Sequence, residues 1–213
     1  MGKTALIVWG GWDGHTPKET SEMLAVELNK NGFDVRMENS LKPLEDAAAL
    51  RNLNLIVPMW TMGELSKEQW VGLNGAIHDA GVGLAGIHGG MGDAFRGRVE
   101  YQWMVGGQFL GHPHVGEYNV DLTPVKSPIT DGLPKSFKYN SEQYYMGVDP
   151  VNNVLADTEY AFEGKRCRMP VIWTKTWGKG RVFYSALGHV AEEFRKYPDV
   201  LAMTTRGLIW AAS

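Results

Sequence analysis

The first half of this 213-residue chain alternates short apolar runs with helix-length amphipathic segments, and that rhythm limits the folds open to it. Residues 4–9 (TALIVW) have strand length and break at Gly10 and Gly11. Thr16, Pro17 and Glu19 then supply an N-cap, a proline at the first helical position and a capping-box glutamate. Thr20, Leu24 and Leu28 share one face before Asn31 and Gly32 stop the helix. Residues 33–37 and 55–59 read as two further strands. Ser66 and Gln69 repeat the capping box ahead of Trp70, Leu73 and Ile77, a second helix ending near Gly81, and residues 82–87 make a fourth strand. Strands separated by helices of this length predict an α/β fold with a mainly parallel sheet covered on both faces.

The second half is less periodic. Residues 117–122 read as a strand, residues 153–162 as a pair of short ones, and residues 169–174 and 181–186 as a hairpin around the WGKG turn at 177–180. Residues 199–212, with Leu201, Thr204 and Leu208 on one side, predict a closing helix. No repeat, low-complexity tract or linker divides the chain, so residues 1–213 are expected to form one domain. A net charge of -3 without a lysine and arginine run gives no basis for capture of nucleic acid or of a membrane surface. The lone Cys167 cannot form an internal disulfide. With no leader-like segment and no window near the roughly 20 apolar residues of a membrane span, the expectation is a cytoplasmic protein with a small, neutral or mildly polar partner. A homo-oligomer is compatible with the sequence, which does not fix the number of subunits.

Chemistry concentrates where strands end. His15 follows the first strand, His88 the fourth, and His189 follows RVFYSALG at 181–188. The carboxyl ends of parallel strands line one edge, and ligands bind in the crevice outside it, so three imidazoles are expected on a common rim. Within GIHGG, His88 takes the place that the nucleophile holds in a G-x-S-x-G elbow, where flanking glycines make room for a sharp turn. GGQFLGHPH adds His112 and, less centrally, His114, while His78 falls on the polar side of the second helix. Glu142, among aromatic residues in YNSEQYYMG, is expected to have its pKa raised by partial burial. Imidazole and carboxylate together either divide acid and base work or hold a divalent ion such as zinc, and the spacing leaves both open. Trp12, Trp60, Tyr144 and Trp177, in loops or at strand ends, are candidates for stacking on a sugar ring, whereas Trp9, Trp173 and Trp210 suit the core. Asp13 is expected to cap its turn. The glycines at 86–92 run G-x-x-G-G-x-G on the fourth strand, not the dinucleotide order on the first, so no nicotinamide cofactor is expected. Cys167 is far from the elbow in sequence, which argues against a thiolate nucleophile there.

VWGGWDGH, GIHGG, GGQFLGHPH, SPITDGLP, SEQYY and WGKGRVFYSALGH, in this order and spacing, resemble the ThuA-like (trehalose utilisation) family of the class I glutamine amidotransferase-like superfamily. The resemblance covers essentially the whole chain and implies a flavodoxin-like three-layer sandwich. It also implies that His88 replaces the superfamily's nucleophilic cysteine, so glutamine hydrolysis is not expected. What it implies instead is carbohydrate processing, on a sugar or 3-keto-sugar, by hydrolysis, isomerisation or elimination beside a carbonyl. The matching polar positions are His15, His88, Glu142 and His189, with His112 from the GHP motif. The alternative is a carbohydrate-binding or regulatory module that retains the cleft without the chemistry.

Overall fold

A computed structural model describes residues 2–212. Its nine strands form one sheet in the order β2-β1-β3-β4-β9-β8-β7-β5-β6. β1 (Lys3–Gly11), β2 (Phe33–Glu38), β3 (Leu55–Thr61) and β4 (Gly83–Ile87) run parallel, as the alternation predicts, and β9 (Gly180–Ser185) joins them beside β4. The expectation of a mainly parallel sheet is corrected beyond that point. β8 (Lys165–Trp177), β7 (Asn153–Phe162), β5 (Gly107–Leu122) and β6 (Ser136–Val148) all pair antiparallel, giving a mixed sheet. The physical reason is the connections: turns and loops without helices join β5 through β9, and only crossover connections return a chain to the same direction.

Every residue of β4 is buried, which is why its sequence is a continuous apolar and glycine run rather than an alternating one. α1 (Pro17–Lys30) and α7 (Pro198–Ala211) pack on each other and over the parallel strands. α2 (Ala47–Leu50) is a single turn. α3 (Lys67–Asn74) runs on into a π-helical turn, Gly75–Ala80, closed by Gly81 at φ 85°. The Ser66 capping box forms, with Gln69 N donating to Ser66 Oγ at 3.1 Å and Ser66 N donating to Gln69 Oε1 at 3.0 Å.

The box expected at Thr16 does not form. Thr16 is left-handed, φ 44°, and its Oγ1 accepts from Ala191 N at 3.1 Å, tying the start of α1 to the start of α6 (Ala191–Lys196). A long-range bond has displaced the local one. The GHPH segment lies within β5, whose pairing with β6 shifts register between Phe109 and Gly111 and again before His114. Pro113 has no N–H to give the ladder, so an irregular stretch there is expected.

Candidate functional site

The elbow is present. Ile87 is extended, His88 turns left-handed at φ 42°, and α4 (His88–Gly92) begins at once. Tyr184 on β9 donates its hydroxyl to the His88 carbonyl at 3.1 Å. That approach needs Gly92, where a Cβ would fall 2.2 Å from the Tyr184 oxygen. A non-glycine residue held left-handed costs of order 1 kcal/mol or more, and such positions concentrate at functional sites. Four of the five left-handed non-glycine residues among those described, Thr16, Met62, His88 and Phe95, belong to or lie within one residue of a group in the site described next, and the fifth, Glu163, sits in a hairpin turn.

His15, His88, Glu142 and His189 bring one ligating atom each to within 4.8 Å of all the others. His15 comes from the turn Asp13–His15 after β1, His88 from the elbow after β4, and His189 from the loop after β9. These three sit at the carboxyl edge of parallel strands, and Glu142 reaches them from β6 in the antiparallel half. His88 Nε2 and His189 Nδ1 stand 3.5 Å and 3.4 Å from Glu142 Oε2. Both nitrogens of His88, and Nδ1 of His189, are buried without a hydrogen-bond partner. Buried polar atoms are ordinarily paired, so three buried orphans, two of them facing one carboxylate oxygen, need a cause.

Supporting groups fix the ligands. His15 Nδ1 bonds Thr61 Oγ1 at 2.6 Å, at the end of β3, and a Cβ on Gly89 would fall 2.1 Å from His15 Cε1. The His189 backbone N–H donates to Glu193 Oε2 at 2.9 Å, and the same oxygen accepts from Tyr139, whose oxygen in turn accepts from Gly188 N at 3.0 Å.

Electrostatics divides the cluster. Burial, then the charge of His189, draws His15 down to about 4, with Glu142 opposing and His112 assisting. Burial, then the charges of His15, His189 and His112, holds His88 well below the ordinary imidazole value. For Glu142, burial pushes upward as the sequence suggested, but the contact with His189 and the charges of His189, His112 and His15 outweigh it, so the expected rise is corrected to a fall. His189 goes the other way, raised by Glu142 against its own burial. At neutral pH the site is therefore a carboxylate facing two neutral imidazoles and one that Glu142 favours in the charged form.

A cleft of about 150 Å³ opens beside the cluster, lined by Trp12, His15, Met62, Asp93, Arg96, Phe109, His112, Glu142 and Tyr144. Larger surface hollows occur, such as that around residues 122–135, but no histidine lines them. His112 Nε2 is 3.6 Å from Glu142 Oε1 and its ring stacks at 18° to Tyr144. Tyr144 sets its edge against His88 with ring centres 3.9 Å apart. Trp12 meets His15 edge-on at 4.7 Å.

Other candidates lie elsewhere. Trp60, a candidate for stacking on a sugar, packs over Gly10 and Gly63 against the core and is not among the residues that line the cleft. Trp177 donates to Asn74 Oδ1 at 2.8 Å and contacts Trp103 and His78, away from the site. His114 is exposed beside the Glu117 carbonyl, His78 is exposed against Asp79, and Asp13 closes its turn through a backbone bond from Thr16. The sequence reading missed Thr61, although the carboxyl-edge argument that located His15 applies equally to it. It also missed Asp93 and Arg96, for which no sequence signal stands out.

The ThuA family model, described as trehalose utilisation, matches residues 4–211. None of the curated proteins matches the sequence. Among solved structures, a ThuA-like protein from Bacteroides uniformis superposes with a TM-score of 0.77 at 17% identity, over 99% of this chain and 91% of its own. One from Parabacteroides merdae gives 0.74 at 19% identity, over 100% and 90%. A cytoplasmic protein from Salmonella typhimurium gives 0.65 at 14% identity, over 97% of each chain. The likenesses speak to the fold; the family match over nearly the whole length makes this chain a member of the ThuA, trehalose utilisation, family.

Proposed function

We propose that this protein is a divalent-metal-dependent enzyme that acts on a sugar or 3-keto-sugar, by hydrolysis, isomerisation or elimination at a carbon beside a carbonyl. One observation carries the reading: three imidazoles and a carboxylate converge while His88, 2% exposed, leaves both ring nitrogens unpartnered. Two ligand atoms about 2.05 Å from one tetrahedral ion lie about 3.4 Å apart. The His189–Glu142 and His88–Glu142 separations, 3.4 Å and 3.5 Å, match that spacing, and the set as a whole, within 4.8 Å, needs only a small inward shift to reach it. An imidazole and carboxylate set suits zinc or a similar borderline ion.

His15, His88, Glu142 and His189 would hold the ion, which when bound supplies Lewis acidity toward a carbonyl oxygen. The low pKa of His88 opposes a role as general acid near neutral pH and supports that of neutral ligand. Thr61 orients His15 by occupying its Nδ1, as outer partners of ligating histidines commonly do. Trp12, Tyr144 and His112 line the cleft where a sugar ring would lie. The elbow at His88 supports the amidotransferase-like ancestry, and with a histidine in the nucleophile position the chain has no thiolate there for glutamine hydrolysis. A cytoplasmic setting is in keeping with the described setting of the Salmonella structure.

The test is metal analysis of the purified protein, joined to an NMR screen of disaccharides and their 3-keto derivatives with native, chelated and His88→Ala samples. The expected result is one divalent ion per chain and product formation lost in the chelated and substituted samples. Absence of bound metal, with turnover unaffected by chelation, would refute the reading. Saturable binding without product would favour the non-catalytic module.

A further inference from the structure

A charge pair in the cleft has no part in holding an ion. Asp93, at the end of α4, has a carboxylate only 4% exposed, and Arg96 grips both of its oxygens, through Nε at 2.6 Å and Nη2 at 2.7 Å. Arg96 itself is 49% exposed and lines the cleft. Losing the partner would leave Asp93 a buried, uncompensated charge, so the carboxylate fixes the plane of the guanidinium. The guanidinium has five N–H donors, two of which this grip uses. The remaining three have no protein acceptor among the described residues.

The backbone beneath is equally constrained. Met62 N donates to the Asp93 carbonyl at 2.9 Å and Phe95 N donates to the Met62 carbonyl at 3.0 Å, with Met62 at φ 62° and Phe95 at φ 50°. These bonds anchor the Arg96 segment to the end of β3, next to Thr61.

Trp12 is held in a comparable way. Its indole lies over Gly14, where a Cβ would fall 2.3 Å from Trp12 Cζ2, and its position against His15 is edge-on. Yet it remains 48% exposed. An immobilised aromatic face open to solvent suits the C–H face of a pyranose, and fixed N–H donors suit its hydroxyls. Because Asp93 already offsets the charge of Arg96, the pair offers donors without net charge, which favours a neutral ring over a uronate.

We infer that Trp12 and the Asp93-braced Arg96 form a subsite that seats a neutral pyranose at the cleft entrance, the indole stacked on the ring and Arg96 donating to its hydroxyls. This rests on the carbohydrate reading above and narrows it to a substrate class. Calorimetric titration of trehalose, 3-ketotrehalose and glucuronic acid into the metal-loaded native protein, Trp12→Ala and Arg96→Lys tests it, with metal content and melting midpoint followed in each. Lysine keeps a positive partner for Asp93 but loses the fork. The expected outcome is tighter binding of the neutral sugars than of glucuronic acid, and about tenfold or greater weakening in each variant, the size of one lost stacking or charge-assisted contact. Metal content stays at the native value, and the melting midpoint falls by no more than a few degrees, since lysine still pairs with Asp93 but leaves one of its oxygens unbonded. Neutral-sugar binding that survives both substitutions, or a preference for glucuronic acid, overturns the subsite alone. Failure of all three sugars to bind the native protein overturns the carbohydrate reading and the subsite with it.

Discussion

Gly89→Ala separates a steric effect on the cluster from one on the fold. A Cβ at this position would lie 2.1 Å from His15 Cε1, 2.6 Å from Nδ1 and 3.0 Å from the Tyr144 hydroxyl. Carbon atoms in contact rest about 3.5 Å apart, so the imidazole must retreat by about 1.4 Å. Metal–ligand distances tolerate only about 0.2 Å, so a shift of that size removes His15 from the ligand set. Disturbing the support of a single ligand typically lowers metal affinity about 10- to 100-fold, and losing the ligand should cost at least as much. Overpacking adds about 1–3 kcal/mol of destabilisation, a fall of about 2–12 °C in Tm for a chain of this size. Gly90→Ala is the control on the same helix, because the new methyl lies 3.0 Å from Met59 Cε and Sδ, a flexible side-chain end, though also 3.1 Å from its Cα. Competition with a chromophoric chelator gives the affinities and calorimetry the midpoints. Native metal affinity in Gly89→Ala would refute the placement of His15 in the set.

Two further perturbations bear on the same groups. Thr61→Val deletes the partner of His15 Nδ1 and should weaken metal binding by about 10- to 100-fold with Thr61→Ser restoring it, as read by the same competition assay. In the chelated protein, His15 should make folding acid-sensitive: its pKa falls from 6.5 unfolded to about 4 folded, so its contribution is intact above 6.5 and is lost as pH drops toward 4. The full loss is about 3 kcal/mol at most, His88 acts in the same direction and His189 in the opposite one, and a melting midpoint that stays flat from pH 7.5 to 4.5 would contradict the account.

What was legible in the sequence follows from how local each signal is. The parallel half writes its strands as apolar runs and its helices with caps, so β1 to β4 and the helix after Ser66 are readable from short windows. His15, His88 and His189 were found because each directly follows a strand, and parallel strands share one exit edge. The antiparallel half gives no such rule. Of β5 and β6 the pattern marks only residues 117–122, since both strands lie at the end of the sheet, half exposed and interrupted by register shifts around Pro113. The aromatic neighbours of Glu142 point to burial and hence a raised pKa, and the sign reverses because the imidazoles that lower it come from three remote segments. Thr16 shows the same limit: its pattern predicts a cap, and a partner 175 residues away takes the hydroxyl instead. Arg96 looks like an ordinary surface arginine until Asp93 is seen to be buried.

Each of the four convergent side chains belongs to a different stretch of the polypeptide, at positions 15, 88, 142 and 189, with dozens of residues between one and the next. No fragment ending before the last strand can assemble the set, so during synthesis the first histidine must wait until residue 189 has emerged. An ion shared by these points would act as a knot tied last, closing several long loops at once and binding the two unlike halves of the sheet into a single cooperative unit.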